Sequence, residues 1–297
     1  MFKTIDEYLE ALKTEMQGSD PALLQDALSD AREHLSAALS DARARNAEIN
    51  EADALPAIVD NYGSPEETAS AYREVEKRTS PVIKQNTKPR SLLGRFFGVY
   101  ADPRTWGAML FMFIAFITGL IYFTWAVTGA SLSLGLMILI IGVPFAILFL
   151  FSVQGLALLE GRIVEALLGV RMPRRPAFAL PGLKWGERLK ALLTDWHTWR
   201  ALIYLLLQLP LGLIYFTINI CLLAFELSLM AVPIAQYYFK NAGITAGITL
   251  NGHTTTLPLW SLIALQIGGF LLLSLNMHLA RGIGWLHGRY AKWLLVS

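Results

Sequence analysis

Hydrophobic positions follow two contrasting patterns along this chain. Through residue 78, apolar side chains recur every three or four positions among acidic and polar ones, the period of amphipathic helices. Beyond residue 100 the apolar runs exclude charge. Trp106 through Leu159 contains 54 consecutive residues without Asp, Glu, Lys or Arg. As one helix that run would extend ~80 Å, far beyond a ~30 Å hydrocarbon core. The small residues Thr128-Gly129-Ala130-Ser131 mark the expected break, giving spans near 106–128 and 132–157. Uncharged runs at Ala201–Phe225 and Asn241–Ala280, the latter span-like from Pro258, bring the expected crossings to four. The expected fold class is all-α: a small N-terminal cytoplasmic helical domain, then a four-helix transmembrane domain built from two parallel two-span repeats.

The repeats are written in the sequence. Asp102-Pro-Arg-Thr105-Trp106 leads to GLIYFT at Gly119–Thr124, and Asp195-Trp-His-Thr198-Trp199 leads to GLIYFT at Gly212–Thr217, each pair 93 positions apart. Self-similarity of this kind marks a duplicated unit. Each copy starts with a basic amphipathic stretch (Leu92–Tyr100, Leu183–Leu193), crosses twice, and closes on an interfacial segment. Those segments, Leu158–Leu168 (LLEGRIVEALL) and Trp285–Leu295 (WLHGRYAKWLL), align at Gly161-Arg162 and Gly288-Arg289. Two crossings per copy leave the copies in one orientation, related by an axis along the membrane normal. The expected limits are 92–169 and 183–297, with an outer loop at 236–257. That loop carries a hairpin signal, β-branched residues around Asn251-Gly252. Residues 223–237 contain Glu226 and Pro233, and the pattern leaves open whether they span, re-enter or lie at the interface.

Residues 1–78 read as four short helices near 4–17, 21–45, 51–61 and 65–78. Thr4-Ile-Asp-Glu7 and Ser64-Pro-Glu-Glu67 have capping-box spacing, Asp20-Pro21 starts a helix, and Tyr62-Gly63 ends one. Leu24, Leu28, Ala31, Leu35, Leu39 and Ala42 form a stripe that either closes this small core or also pairs with a partner. Residues 79–91, with Pro81 and Pro89, read as a linker.

Charge separates the two parts. Residues 1–90 hold 11 basic and 17 acidic side chains, a net −6, whereas the remainder holds 14 basic and 6 acidic, a net +8. Of those 14 basic residues, only Lys240 falls outside the segments before the first span, between the second and third, or after the fourth. Positive charge marks the cytoplasmic side, so both termini are expected inside. No signal peptide is expected, because Met1–Lys13 is amphipathic and acidic. The single cysteine, Cys221, excludes an internal disulfide.

Candidate chemistry is sparse. No H-E-x-x-H, phosphate-binding loop, Cys cluster or Ser/His/Asp pattern occurs, so the chain reads as non-enzymatic, with no catalytic, metal or cofactor-binding residues. Four residues are candidates for ligand binding or coupling. Glu226 is a carboxyl within apolar sequence, read either as a ligand, proton or partner site or as solvated at the outer interface. His253 is an outer-loop titratable group. Arg162 and Glu165 form an i,i+3 pair at a membrane surface. Asp102 with Trp106, and Asp195 with Trp199, are expected to cap and anchor incoming spans. His34, beside Glu33, reads as a solvated or capping side chain.

The head carries Y-L-x-x-L at Tyr8, Leu9 and Leu12, then Glu33-His34-Leu35. It continues with Tyr62, Gly63, Pro65, Glu67, Ala69 and Tyr72 of Y-G-S-P-E-E-T-A-x-A-Y. It resembles the HAAS signalling domain of bacterial membrane proteins. The membrane half resembles the "putative sensor" family found in histidine-kinase-like proteins. That likeness rests on Asp195-x-x-Thr198-Trp199-Arg200, Leu205–Gly212, Gly142-Val143-Pro144 and Leu159–Gly169. The resemblance implies signal transduction and transfers no catalytic or ligand residues. No kinase-like ATP-binding domain is expected to accompany the membrane region. The expected function is a sensor relaying an envelope, lipid or ligand signal to a cytoplasmic regulator or membrane-protein partner through residues 1–78. The rival reading is a transport or channel-associated subunit. Membrane lipids are expected partners, the acidic head argues against nucleic acid, and a homo-oligomer is compatible with the stripe.

Overall fold

The computed structural model describes residues 2–79, 92–139, 141–175, 190, 193–241, 248–250 and 253–296. The linker beyond Thr79, most of the stretch Leu183–Leu193 and the turn Asn251-Gly252 lie outside the described residues. Packing gathers the chain into two compact units, one from Met1–Lys84, Leu120–Gln208 and His287–Ser297, the other from Gln85–Gly119 and Leu209–Leu286.

The first unit begins with α1 (Ile5–Glu15), α2 (Pro21–Arg45), α3 (Glu51–Tyr62) and α4 (Pro65–Thr79). Local chemistry sets each start. Thr4 Oγ1 accepts the Glu7 amide at 3.2 Å, and Asp20 Oδ1 accepts the Ala22 amide at 2.9 Å. Ser64 and Glu67 make both bonds of a capping box, at 3.2 and 2.9 Å. Gly63 adopts φ 110°, a conformation that side chains resist, and its amide closes α3 on Val59 O. Tyr8, Leu12, Met16, Ala27, Ala31, Leu35 and Leu55 are fully buried in one shared core. Each large apolar side chain there contributes ~1.5–3 kcal/mol. Tyr8 donates to Gly63 O at 2.9 Å and meets Thr68 Oγ1 at 3.1 Å. The buried stripe of α2 runs through Ala22, Leu23, Ala27, Ala31, Leu35 and Leu39, with Leu24, Leu28 and Ala42 only half-buried. The apolar face is thus turned by about one position at its start.

Among the described residues, four helices are long and apolar enough to cross a membrane: α6 (Pro103–Leu136), α7 (Gly142–Leu168), α8 (Trp196–Asn241) and α9 (Leu259–Leu295). A short α5 (Leu92–Phe97) and a 3₁₀ turn (Gly98–Ala101) precede them. Strands β1 (Ile248–Leu250) and β2 (His253–Thr255) pair antiparallel, Ile248 opposite Thr255 and Leu250 opposite His253. The fold is otherwise all-helical.

Two boundaries differ from the sequence reading, and one segment that the sequence left open takes a definite course. Helix α6 continues through Thr128–Ser131 to Leu136, so the break falls near 137–141. Small polar residues do not end a helix that absorbs them, and Ser133 Oγ donates to Gly129 O at 2.7 Å within it. The expected interfacial segments Leu158–Leu168 and Trp285–Leu295 are the uninterrupted ends of α7 and α9. Nothing breaks the ladder before Gly169, whose φ of 68° permits a left-handed cap. Residues 223–237 are also internal to one helix, α8, despite Pro210 and Pro233.

Close approach in the membrane helices uses small residues, as expected where lipid supplies little hydrophobic drive. In the first unit a Cβ at Gly129 would fall 2.2 Å from the Phe149 ring. In the second, a Cβ at Gly212 would fall 2.2 Å from Ala115 O, where Phe216 also stacks on Phe116.

Candidate functional site

The paired span starts have the same local construction. Asp102 Oδ1 accepts the Arg104 amide at 3.1 Å, and Asp195 Oδ1 accepts the His197 amide at 3.1 Å. Trp106 Nε1 donates to Tyr100 O at 2.9 Å, six residues back, and Trp199 Nε1 donates to Leu193 O at 2.8 Å, also six back. Each carboxylate thus caps its helix, and each indole ties the first turn to the preceding segment. Their further partners differ. Asp102 pairs with Arg281 at 3.2 Å. Asp195 Oδ2 accepts both N–H and O–H of Thr198, and that hydroxyl accepts from Gln154 at 3.0 Å.

A charged clasp lies within the first unit, after α7. Arg171 is nearly buried, and its Nη2 meets Asp26 Oδ2 at 2.8 Å while its Nε meets Glu76 at 3.1 Å. The other oxygen of Asp26 accepts the amides of Arg174 and Arg175, at 2.6 and 2.9 Å. Arg175 reaches Asp30 and Glu33, at 2.5 and 3.1 Å. Glu165 faces Arg162, Arg171 and Arg174 at 3.1, 3.9 and 3.4 Å. Lys292 adds a pair with Asp20 at 2.5 Å. Acidic groups of α2 and α4 therefore hold the basic segment that leaves the second apolar helix. Burial pulls the Arg171 guanidinium down, but its bond to Asp26 and the charges of Asp26, Glu76 and Glu165 outweigh it and hold it above its ordinary value. Tyr72 donates to Asp30 at 2.6 Å, and burial first, then that bond, pushes its hydroxyl up.

The segment carrying Arg171 sits on two glycines. A Cβ at Gly288 would fall 2.6 Å from Val170 Cγ2, and one at Gly161 would fall 3.4 Å from Met172 Cβ. At Gly288 only hydrogen leaves room for Val170 at this distance, whereas at Gly161 a Cβ would make an ordinary contact with Met172.

Just before those glycines the same unit buries a polar network. Glu160, Tyr204, Gln208 and His287 are each fully buried. Tyr204 OH lies 3.2 Å from Glu160 Oε1 and 2.9 Å from His287 Nε2, and Gln208 Nε2 donates to Glu160 at 2.9 Å. Tyr122 lies beside the Glu160 carboxyl, although neither its hydroxyl nor Glu160 Oε2 has a hydrogen-bond partner among the described residues, and Tyr290 stacks on Tyr204 at 5.3 Å. Four helices contribute to it. Glu160 thus joins Glu226 as a carboxyl buried within an apolar helix.

Glu226 is itself fully buried in the second unit rather than reaching outward to headgroups. Asn276 Nδ2 approaches its Oε2 at 3.4 Å, while Glu226 Oε1 and Asn276 Oδ1 have no hydrogen-bond partner among the described residues. His253 pairs through its backbone in β2, and its side chain lies outside the described residues. His34 stacks on Tyr62 at 4.8 Å. Cys221 is exposed. Among the described residues no group of His, Cys, Asp or Glu is placed to hold a metal ion.

Of the candidates, Arg162 and Glu165 belong to the clasp; Glu226 and His253 do not. Arg171, Asp26, Glu76, Glu160, Tyr204 and His287 escaped the sequence reading. One signal was present: Glu160 and His287 immediately precede the aligned Gly161-Arg162 and Gly288-Arg289, an acid and an imidazole at one repeat position.

No curated protein and no solved structure matches this chain. A protein family described as Putative sensor matches residues 112–295, which include α7, α8, α9, Glu160, Glu226 and the clasp segment. That match covers more than half of the sequence, and the chain belongs to this sensor family.

Proposed function

We propose that this chain is a non-enzymatic bacterial membrane sensor whose residues 1–78, a HAAS-like signalling domain, pass a change in the membrane helices to a cytoplasmic regulator or a second membrane protein. The observation that carries the reading is the clasp. Asp26 and Glu76 grip Arg171, which leaves α7 three residues after its end at Leu168. A relay needs two states that differ in such contacts, and a buried multidentate ion pair is an element with distinct made and broken forms. The distribution of Lys and Arg supports both termini lying on the cytoplasmic side of the inner membrane. Lipids, and a second copy of the chain, are further partners in this reading.

Deleting residues 1–90 is expected to abolish the cellular response while leaving membrane insertion intact. An unchanged response overturns the reading. Labelling of an N-terminal tag from outside intact cells would overturn its orientation.

A transport or channel-associated role is favoured by one observation, the buried ionisable network of Glu160, Tyr204 and His287. Solute flux into liposomes containing the purified chain supports that alternative, and tight liposomes support the sensor.

A further inference from the structure

Glu160 and His287 hold matching places in the repeat, Leu159-Glu160-Gly161-Arg162 and Leu286-His287-Gly288-Arg289, and one tyrosine bridges them. The residue 93 positions before Tyr204 is Phe111, so the first copy has no hydroxyl at the corresponding position.

A phenol has one proton and can donate to only one neighbour at a time. When Tyr204 donates to Glu160, His287 Nε2 must carry hydrogen and donate to the phenol oxygen. When Tyr204 donates to His287, a protonated Glu160 must donate to the phenol oxygen. One proton shared by the three groups therefore has two homes. Imidazolium with carboxylate becomes imidazole with carboxylic acid as the N–H proton passes to the phenol oxygen and the phenol proton to the carboxylate. The total charge stays zero in both forms. Removing that proton leaves a buried carboxylate beside a neutral imidazole. The groups facing it are then Tyr122 from α6, Tyr204 and Gln208 from α8, and His287 and Tyr290 from α9. Arg200, one turn before Tyr204, lies over the Trp293 ring at 5.9 Å. Among the described residues no ion pair reaches Glu160. Among the described residues that net charge meets neutral dipoles, and it favours a different packing from a neutral triad.

We propose that Glu160, Tyr204 and His287 are a proton-binding site, and that its occupancy sets the grip of the Arg171 clasp. The inference rests on the relay reading and supplies its input. The two proton-bearing ends each precede a glycine on which the clasp segment lies, Gly161 under Met172 and Gly288 under Val170. Those contacts flank Arg171 on both sides. A change in the bridge that moves α7 against α9 thus moves the two supports of Arg171 together.

The test uses the full-length chain in lipid nanodiscs, stepped across neutral pH. Infrared difference spectra, with glutamate isotopically labelled, read carboxyl protonation. Hydrogen exchange at the Arg174 and Arg175 amides, corrected for intrinsic rates, reads the clasp. A titrating glutamate band is expected, lost in Glu160→Gln and retained in Glu226→Gln. Exchange at the two amides is expected to differ by about tenfold between the two occupancies, and the difference is lost in Glu160→Gln. Tyr204→Phe is expected to uncouple the carboxyl from the imidazole and shift the band's midpoint. A wild-type spectrum without a titrating glutamate overturns the proton site, and the relay stands if Asp26→Asn still loosens the amides. A titrating band with constant exchange overturns the link to the clasp. A Tyr204→Phe titration identical to wild type overturns the bridge.

Discussion

Glu160 and Glu226 are the same side chain in the same kind of apolar helix, and neither exposes any surface. Their surroundings differ. Glu160 meets donors from Tyr204 and Gln208, with Tyr122 against the same carboxyl. Glu226 has one long contact from Asn276 and an oxygen without a donor. Burial alone therefore does not mark a working carboxyl; the number of donors around it does. Each carboxyl keeps one oxygen without a partner among the described residues, Oε2 in Glu160 and Oε1 in Glu226. Glu160 Oε1 nevertheless takes two donors, one of them part of a bridge along which a proton can be exchanged, whereas Glu226 is a carboxyl that its helix tolerates.

Removing each carboxyl breaks this comparison most directly. Glu160→Leu leaves Tyr204 and Gln208 without their shared acceptor and is expected to cost about 3 kcal/mol, the scale for stripping one member from a buried charged network. Glu226→Leu deprives only Asn276 and deletes an unpaired oxygen, so its effect stays within about 1 kcal/mol. Reversible unfolding in mixed micelles measures both, and equal losses would erase the distinction.

Asp26→Ala removes the acceptor of Arg171 and of two backbone amides and is expected to cost about 2–3 kcal/mol. Protease sensitivity of the head should rise with it. A double-variant cycle sharpens the contrast further. Asp26→Ala should be non-additive with Glu160→Leu by about 0.5–1 kcal/mol and additive with Glu226→Leu. Additivity in both pairs would separate the network from the clasp.

The glycine supports give a graded, smaller effect. Gly288→Ala sets a methyl 2.6 Å from the stiff Val170 side chain and should cost about 1–2 kcal/mol, relieved by a paired Val170→Ala. Gly161→Ala meets Met172 at 3.4 Å, a contact that a flexible side chain accommodates, and should cost less.

The smallest effect lies in the head alone. Burial first, then Asp30, raises the hydroxyls of Tyr62 and Tyr72 above their ordinary value of 10.0. The unfolded chain loses those protons first as pH climbs past that value, so it binds fewer protons than the folded form and stability falls. Tyr72→Phe should flatten the alkaline slope of the unfolding free energy.

Some of this was legible residue by residue. Thr4, Asp20 and Ser64 announced three head helices because a cap needs only the next turn of backbone. Asp102 and Asp195 announced the span starts for the same reason. The break after α6 was misplaced because Gly129 and Ser131 permit a turn without requiring one. Glu160 was read as interfacial because the charged residues Arg162 and Glu165 follow it closely. Which face of that turn meets α8 and α9 is not a local property.

The sequence by itself determined the helices, their apolar lengths, the head's caps and the doubled Asp-x-x-Thr-Trp starts. These depend on propensity, periodicity and contacts within a few residues, all of which are written in order along the chain. Only the tertiary structure decided that Arg171 would meet Asp26, 145 residues away, and that Tyr204 would stand between Glu160 and His287, 44 residues before it and 83 after. The physical reason is that a buried polar group takes its partner from whichever helix packing brings within about 3 Å, and helix packing is set by small residues whose facing neighbours no single segment records.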